Sequence, residues 1–428
     1  MAQGKATGVG LGLPDITMAK VVGHPSVQSA EELRQNTLEV TLPAVIDNLL
    51  GANIGANVSA EPAARDIVFR GDFDAVNAHF IDQEWSDGLP IVPPTRERVE
   101  RFLAHTSRSP DEVIGVMLPD RRAATVWSVA VNGVMAGCRP EYMPILVALA
   151  EAMADPEYGV EHSGNTPGAD TLIMLNGPIV KELGFNFTQG VMRDGFLPNT
   201  SIGRFWRLYL RNVAGFLLHK TDKATFGNTW RVVVAENEDV LQQIGWLPIC
   251  ADQGLPAGTN AVTVARYTGG DLCLSVTGST PEEMMPYLTG FVVRLTSWQV
   301  VFSTAGGGGS LRPLILLSPI LAETIARAGW SKQDVQRYLF EHARIPASQF
   351  QELAHHGGLN DKTITEQARA GQVPAMYAES DDPDRLVPLV WAPEQYMIGV
   401  TGDPSRNHAY VFAHNGRLGF PVSKRIVP

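Results

Sequence analysis

Cysteine, positive charge and long apolar runs are all scarce in this sequence of 428 residues. Its cysteines, Cys138, Cys250 and Cys273, form an odd and widely spaced set, which indicates a reducing compartment and excludes a disulfide framework. The net charge of −11 argues against general nucleic-acid binding, which needs a basic face. No run of about 18 apolar residues occurs, so no membrane span is expected. Because the first residues also lack the pattern of a signal peptide, the sequence predicts a cytoplasmic protein.

Motifs for metals and nucleotides are missing as well. The sequence contains no CxxC pair and no HExxH, so no dedicated zinc site is predicted. Its longest glycine run matches neither GxxxxGK[ST] nor GxGxxG, which lowers the odds of ATP or NAD binding. We therefore predict neither a metal nor a cofactor.

Apolar segments that suit strands alternate with segments that suit helices, which favours an α/β fold. We expect mixed or mostly parallel sheets with flanking helices, arranged in two α/β lobes over residues 67–250 and 251–428. Residues 1–60 are expected to form a helical segment that begins with a capping box at Ser29 and Glu32, followed by a linker over residues 51–66. So short a piece is expected to dock on the main body or on another chain.

Several local patterns make predictions that the fold can test. Ser109 and Pro110 suit the start of a helix, and residues 260–278 read as a hairpin-like pair of strands. The stretch "VVFSTAGGGGSLRPLILLSPILAETIARAGWSK" reads as a strand, a glycine loop, a second strand and a helix that begins at Ser318. Ser331 and Asp334 start the next helix, "TLIMLNGPIV" reads as a buried strand, and Gly137 marks the end of a helix.

A series of long motifs carries a resemblance to a known family. "DGLPIVPPT", "VNGVMAGCRPEYMP", "LIMLNGPIVKELG", "NTSIGRFWRLYLRNVAG", "VVVAENE" and "ARAGWSKQDVQRYLFEHARIP" occur in one order. Over about residues 80–428 the chain resembles a poorly characterised bacterial family whose body is associated with, or fused behind, a thiol or selenol domain named for its UGSC motif. The N-terminal segment resembles the tail end of that domain, and no Cys-Gly-Ser-Cys is present. The resemblance thus implies a separate, smaller subunit. In kind, the chain is also similar to the two-protein aziridine synthases of natural-product pathways, which close a ring by expelling sulfate.

The glycine run is the first candidate site. Backbone N–H groups of Gly306, Gly307, Gly308 and Gly309 can line an oxyanion, and Ser310 and Arg312 add a hydroxyl and a bidentate donor. The loop is expected to follow an apolar strand, where ligands of α/β proteins usually lie. The alternative is a mobile surface loop.

A second candidate lies in "GCRPE", between two apolar helices. Cys138, close to a helix start and to Arg139, would have a lowered pKa and act as a nucleophile, while Arg139 and Glu141 would contact substrate. The alternative is a small buried residue in a tight turn between helices.

A third candidate is "NTSIGRFWR", where Asn199, Thr200 and Ser201 suit a helix N-terminus and Arg204 projects one turn further on. The alternative is ordinary capping.

Isolated acids and histidines complete the candidates. Asp87 is either a turn residue or a general base, and His162 and His408 are either proton-transfer groups or surface residues. Glu236 and Glu238 lie two residues apart at a strand end, where they could bind a metal or an ammonium group, or one of them could act as a base. The alternative is that they lie in a solvated loop.

These candidates favour an enzyme of the lyase, cyclase or transferase type that acts on a small anionic substrate. Asp87, Cys138, Glu141 and His162 are the predicted catalytic residues. Arginines and helix N-termini would stabilise a departing oxyanion during substitution, elimination or ring closure. Two alternatives stay open: thiol-dependent chemistry with a UGSC-type partner, and a non-catalytic scaffold subunit. Each implies a homo- or hetero-oligomer.

Overall fold

The computed structural model describes residues 4, 16–23, 27–51, 63–356 and 362–428, with His356 described by its backbone only. None of the helices in these ranges combines the length and the apolar character that a bilayer span requires. Most of the linker predicted over residues 51–66 lies outside the described residues.

Helices and strands alternate along most of the described chain. The helices are α1 Ala30–Asn36, α2 Leu42–Leu49, α3 Phe73–Asp82, α4 Arg96–Leu103, α5 Val126–Ala136, α6 Met143–Ala154, α7 Ile179–Glu182, α8 Leu197–Tyr209, α9 Glu238–Ile244, α10 Ile249–Asp252, α11 Pro281–Thr296, α12 Pro319–Arg327, α13 Lys332–His342, α14 Ala347–His356 and α15 Ile364–Arg369. The strands are β1 Val113–Met117, β2 Arg122–Thr125, β3 Asp170–Asn176, β4 Val233–Ala235, β5 Ala261–Cys273, β6 Leu314–Leu317, β7 Arg344–Pro346, β8 Leu386–Pro388, β9 Met397–Val400, β10 Ala409–His414 and β11 Val422–Arg425.

The main sheet has seven strands in the order β4-β3-β5-β10-β6-β9, with β11 paired to β5. The pairs β3–β4 and β6–β9 are parallel, and the other pairs are antiparallel. The α/β prediction is therefore confirmed, in its mixed form. Strand β5 joins the halves, because β3 and β11 pair with its first residues and β10 pairs with its last. The two predicted lobes consequently share one sheet across residue 250.

The sheet curls until its two edge strands meet. Asn237, just after β4, donates from its backbone N–H to the carbonyl of Val400 in β9, at 2.7 Å. The hydroxyl of Thr401, just after β9, donates to the carbonyl of Ala235 in β4, also at 2.7 Å. Since side chains alternate across a strand, one set fills the interior of the curl and the other faces the helices.

Three apolar cores follow from this arrangement. The interior of the curl contains, among others, Leu172, Met174, Tyr267, Leu316 and Phe412. The outer face packs against α5, α6 and α8 at β3, β4, β5 and β11, and against α11 to α14 at β6, β9 and β10. Burial on both faces explains why all seven residues of β3 are buried, as its continuous apolar run predicts.

Some local predictions are confirmed. The capping boxes at Ser29 with Glu32 and at Ser331 with Asp334 are both formed. Helix α5 ends at the left-handed Gly137, as its sequence indicates.

Other local predictions are wrong. Residues after Ser109 and Pro110 form a turn and then β1, because the apolar run after them pairs with β2 and packs against α6. The predicted hairpin over residues 260–278 is one strand, β5, whose two glycines lie at its pairing with β10 and make no turn. The segment before the glycine run is a 3₁₀ helix, Ser297–Val301, and not a strand.

Candidate functional site

An ion pair between Asp87 and Arg204 joins the proline-rich stretch to α8. The guanidinium donates from Nε to Asp87 Oδ2 at 3.1 Å and from Nη2 to Oδ1 at 2.8 Å. It also donates to the carbonyl of Pro90, at 2.9 Å. Nη1 of Arg231 lies 3.9 Å from Asp87 Oδ2, so two guanidinium groups face one carboxylate.

The surroundings of Asp87 keep it ionised. Its side chain is only 8% exposed, and burial opposes ionisation. The hydrogen bonds and charge of Arg204, together with the charge of Arg231, outweigh burial and lower the pKa of Asp87. An ionised carboxylate with two hydrogen bonds to one arginine orients that arginine and is a weak base.

The thiol of Cys138 lies beside this ion pair. Cys138 follows the left-handed Gly137 and is buried, with the hydroxyl of Ser201 next to it and within the electrostatic reach of Arg204. Burial raises the pKa of Cys138 to about 12, and Ser201 and Arg204 offset only part of that effect. The lowered pKa predicted from sequence is therefore wrong: desolvation outweighs the neighbouring charge.

The hydroxyl of Ser201 faces the Cys138 thiol. Its Oγ is buried and makes no hydrogen bond of normal geometry to any described residue, although the Cys138 thiol is adjacent. Ser201 and Arg204 lie three residues apart in α8, so they project from one side of that helix.

Arg139 and Glu141 form the exposed rim of the same cluster. Arg139 Nη1 and Glu141 Oε1 are 3.9 Å apart, and both side chains are largely open to solvent. The buried Tyr142 connects this rim to the thiol: burial raises the pKa of Tyr142, and the charges of Arg139, Glu141 and Cys138 all act on it.

The structure thus brings together residues that sequence analysis singled out in three separate segments. We call this group, Asp87, Cys138, Arg139, Glu141, Ser201, Arg204 and Arg231, the arginine cluster. Sequence analysis missed Arg231; the available signal was a basic residue two positions before the strand in "TWRVVVAE". The cluster carries three guanidinium groups and two carboxylates, so it has a surplus of positive charge in a chain whose net charge is −11.

Large apolar side chains lie exposed around the arginine cluster. Leu89, whose carbonyl faces Arg204, is 50% exposed, and Phe196 and Leu197 at the start of α8 are 51% and 42% exposed. Val92, close to Gly137, is 37% exposed. We call these four residues the apolar rim.

Asn199 has a structural role instead. Its side chain accepts from the backbone N–H of Asn186 at 2.9 Å and donates to the carbonyls of Asn186 and Val233, at 3.0 and 2.8 Å. The prediction that Asn199, Thr200 and Ser201 cap the helix is wrong, because α8 begins earlier, at Leu197. Asn199 fixes α8 against β4 with every hydrogen bond inside the protein.

The glycine run packs against the segment that follows β10. Gly307 and Gly309 have φ values of 76° and 80°, which favour glycine. A Cβ on Gly308 would lie 2.4 Å from the carbonyl oxygen of Phe302 and 2.5 Å from Cγ of Arg417. Arg417 also donates to the carbonyl of Gly306.

Close packing thus accounts for Gly308 and Gly309, and a positive φ accounts for Gly307. The N–H of Gly308 donates to the carbonyl of Ser303 at 2.8 Å, so it is not free to bind an anion. Ser310 is likewise engaged: Oγ donates to Gln395 Oε1 at 2.5 Å and accepts from the N–H of Trp391 at 3.0 Å.

Arg312 lies at the end of this loop, and none of its described contacts is with a residue of the arginine cluster. Its guanidinium stacks over Phe420, with 5.4 Å from Cζ to the ring centroid. Burial lowers the pKa of Arg312, although the charge of Glu394 opposes this. Its backbone N–H donates to Nδ1 of His414 at 3.1 Å, which fixes His414 as a neutral acceptor at that nitrogen.

His162 and His408 lie in other surroundings. His162 packs on Gly159 near Arg266, and burial lowers its pKa. Nδ1 of His408 accepts from the N–H of Ser275 at 3.0 Å. The structure does not join either histidine to the arginine cluster by any described contact.

Glu236 closes the curled sheet. Its carboxylate accepts from Asn176 Nδ2 at 2.7 Å, from the N–H of Ile249 at 2.9 Å and from the N–H of Val400 at 3.2 Å. With 1% of its surface exposed, it is not in a solvated loop. Burial raises the pKa of Glu236, while the nearby Lys332 acts in the opposite direction.

Glu238 accepts from the N–H of Gly177 at 2.7 Å, and Lys332 pairs with Asp252 at 2.7 Å. Glu236 and Glu238, the two acids of "AENE", thus both accept hydrogen bonds from protein groups.

Across the described ranges, no three or more His, Cys, Asp or Glu side chains are grouped so that they could hold a metal ion.

Comparison with known proteins finds no family model, no curated protein and no solved structure that matches the chain.

Proposed function

We propose that this chain is the larger subunit of a two-component bacterial enzyme that acts on a small metabolite bearing an anionic group. The proposed chemistry is a non-redox substitution, elimination or ring closure that expels an oxyanion such as sulfate or phosphate, as in aziridine formation in natural-product biosynthesis. The surplus positive charge of the arginine cluster is the observation that carries this proposal. Guanidinium groups bind sulfate, phosphate and carboxylate with paired hydrogen bonds, and they stabilise charge that develops on a leaving oxygen.

The charged members of the cluster have distinct proposed roles. Arg231 and Arg139 hold the anion, because their side chains are the exposed ones. Asp87 is a positioning residue that orients Arg204. Glu141 moves the proton, since its carboxylate is open to solvent and only loosely paired, at 3.9 Å, with Arg139.

The open surroundings of the cluster support a second component. A small-molecule site is usually concave and buries most of its ligand. Here the arginine cluster lies on a face bordered by the apolar rim, and exposed apolar side chains around a polar centre are typical of a surface that another protein covers. A partner seated on the rim would exclude water and so strengthen every electrostatic interaction within the site.

The cysteines favour this chemistry over thiol-dependent transfer. Burial raises the pKa of Cys138, Cys250 and Cys273 alike. The thiolate is the reactive form, so none of the three suits a nucleophile in this chain. Thiol-dependent chemistry would therefore need a reactive thiol from the second subunit. A non-catalytic scaffold role, in turn, would leave the surplus positive charge of the arginine cluster unexplained.

Calorimetric titration with sulfate, phosphate and methanesulfonate tests the proposal. We expect wild-type protein to bind at least one of these anions and Arg231→Gln to lose about tenfold or more in affinity, because that arginine is exposed and its loss leaves the fold intact. The matched control is Arg327→Gln on α12, which removes the same charge elsewhere. Equal binding by both variants, or no binding by the wild type, would refute an anion site in the arginine cluster.

A further inference from the structure

Arg231 joins the arginine cluster from a segment that is neither helix nor strand, just before β4. Its Nη1 lies 3.9 Å from Asp87 Oδ2, and about half of its side chain is exposed. A long, exposed side chain loses conformational freedom when it is held in one place. The position of this guanidinium therefore depends on how firmly the surrounding structure fixes the backbone of the segment.

Asp170, the buried first residue of β3, fixes the segment from one side. Its Oδ2 accepts from the backbone N–H of Trp230 at 3.2 Å. Its Oδ1 accepts from Nη1 of Arg207 in α8 at 2.8 Å. Hydrogen bonds to an ionised acceptor are stronger than those between neutral groups. One carboxylate thus ties the residue before Arg231 to both β3 and α8.

Gly203, a buried residue of α8, fixes the segment from the other side. A Cβ on Gly203 would lie 2.3 Å from the carbonyl oxygen of Arg231 and 2.5 Å from the backbone nitrogen of Val232. These distances are too short for any side chain, so the helix and the segment are in direct backbone contact. Because Arg204 is the next residue of α8, the same contact sets the spacing between the two arginines.

Trp230 sets the direction in which Arg231 points. The indole ring packs inside the curled sheet, where it meets Phe412 edge to face with 5.2 Å between ring centroids. The next side chain, Arg231, is directed to Asp87. A rotation of the segment that moved Arg231 away from Asp87 would also pull the indole out of this apolar core.

We propose that Asp170 and Gly203 are positioning residues for Arg231, which hold its guanidinium beside Asp87 where the anion binds. The part of this inference that concerns the anion rests on the proposed function. The placement of Arg231 beside Asp87 does not, and it can be measured without any ligand.

The pKa of Asp87, followed by ¹³C NMR of its carboxyl carbon, tests the placement in the absence of an anion. The charge of Arg231 is one of the effects that lower this pKa. Asp170→Asn and Gly203→Ala should therefore each raise the pKa of Asp87 toward its value in Arg231→Gln. Loss of the negative charge of Asp170 by itself would act in the opposite direction.

Gly290→Ala is the matched control, because it makes the same change in α11 at a site with open space around it. It should leave the pKa of Asp87 unchanged. An unchanged pKa of Asp87 in Asp170→Asn and Gly203→Ala as well would overturn the inference. Gly203→Ala leaves the pair of Asp170 with Arg207 in place, so it decides the question if Asp170→Asn does not fold.

A double-mutant cycle tests the effect on the anion, with calorimetric titration of sulfate, phosphate and methanesulfonate. Asp170→Asn should weaken binding about threefold or more in the wild-type background and cause no further loss in the Arg231→Gln background. Gly203→Ala should behave in the same way. A residue that only supports the fold would weaken binding by the same factor in both backgrounds, and that result would overturn the positioning role.

The two measurements separate this inference from the proposed function. Absence of anion binding by the wild type, together with a raised pKa of Asp87 in the variants, would refute the anion site but support the positioning of Arg231. Anion binding that depends on Arg231 but is unaffected by Asp170→Asn and Gly203→Ala would support the site and refute the positioning.

Discussion

Removal of the Glu236 carboxylate should open the seam where the curled sheet meets itself. Three buried donors bond to this carboxylate: Asn176 Nδ2 and the N–H groups of Ile249 and Val400. Each buried donor left without a partner costs about 1–3 kcal/mol, and water that enters the space recovers part of that. We therefore expect Glu236→Ala to lower the free energy of unfolding by about 3–5 kcal/mol, as for other broken buried networks.

A conservative variant separates charge from shape. Glu236→Gln keeps the size of the side chain but replaces one acceptor oxygen by an NH₂ group, which then faces another donor. Its expected cost is smaller, about 1–3 kcal/mol. Glu161→Gln, an exposed position, is the control and should change stability by less than about 0.5 kcal/mol.

Two measurements check this prediction. Urea denaturation gives the loss of stability, and hydrogen exchange gives its location. The amide of Asn237, bonded to the carbonyl of Val400, should exchange faster in both Glu236 variants, while amides in the pairing of β3 with β5 should change less. A loss below about 0.5 kcal/mol, or unchanged exchange at Asn237, would show that the seam is held by other contacts.

Three further outcomes are expected. Because the folded-state pKa of Asp87 is lowered, its pair with Arg204 contributes stability above pH ~4 that is lost as pH falls through that pKa. The difference in free energy of unfolding between wild type and Asp87→Asn, measured by urea denaturation, should therefore shrink between pH 6 and pH 3. A difference that stays constant over this range would contradict the prediction. Alkylation of Cys138 at pH 8 should be on the order of a thousandfold slower in folded than in unfolded protein, as followed by mass spectrometry, since its pKa is about 12; rapid labelling would refute the buried thiol. Gly308→Ala should destabilise by about 1–3 kcal/mol through its clash with Phe302 and Arg417, whereas Gly269→Ala, with open space around it, should not; equal melting temperatures would rule out the packing explanation.

Local signals predicted the elements whose stability is local. The capping boxes at Ser29 and Ser331 and the left-handed stop at Gly137 depend on residues within four positions of each other, so the sequence contains their complete cause. The same logic failed at Ser109, where a good helix start precedes a segment that β2 and α6 hold as a strand. Tertiary pairing outweighs a cap of about 1 kcal/mol.

Sequence analysis named every residue of the arginine cluster except Arg231, but it gave neither their pairing nor the pKa of Cys138. Residue type and position marked Asp87, Cys138, Ser201 and Arg204, yet nothing local showed that the first and last would pair across 117 positions. Nor could the sequence give the direction of the Cys138 pKa, because that depends on how completely the folded chain removes water from the thiol.

The sequence by itself determined the α/β class, the apolar strand β3 and the helix starts at Ser29 and Ser331, since periodicity and capping are both local. Only the tertiary structure decided that β5 is one strand shared by both predicted lobes and that Glu236 joins sheet edges 164 residues apart. It also gave the glycine run a packing role against Arg417. The reason is that burial, charge pairing and close approach arise between residues distant in the chain, and no local pattern records which distant residue will be the neighbour.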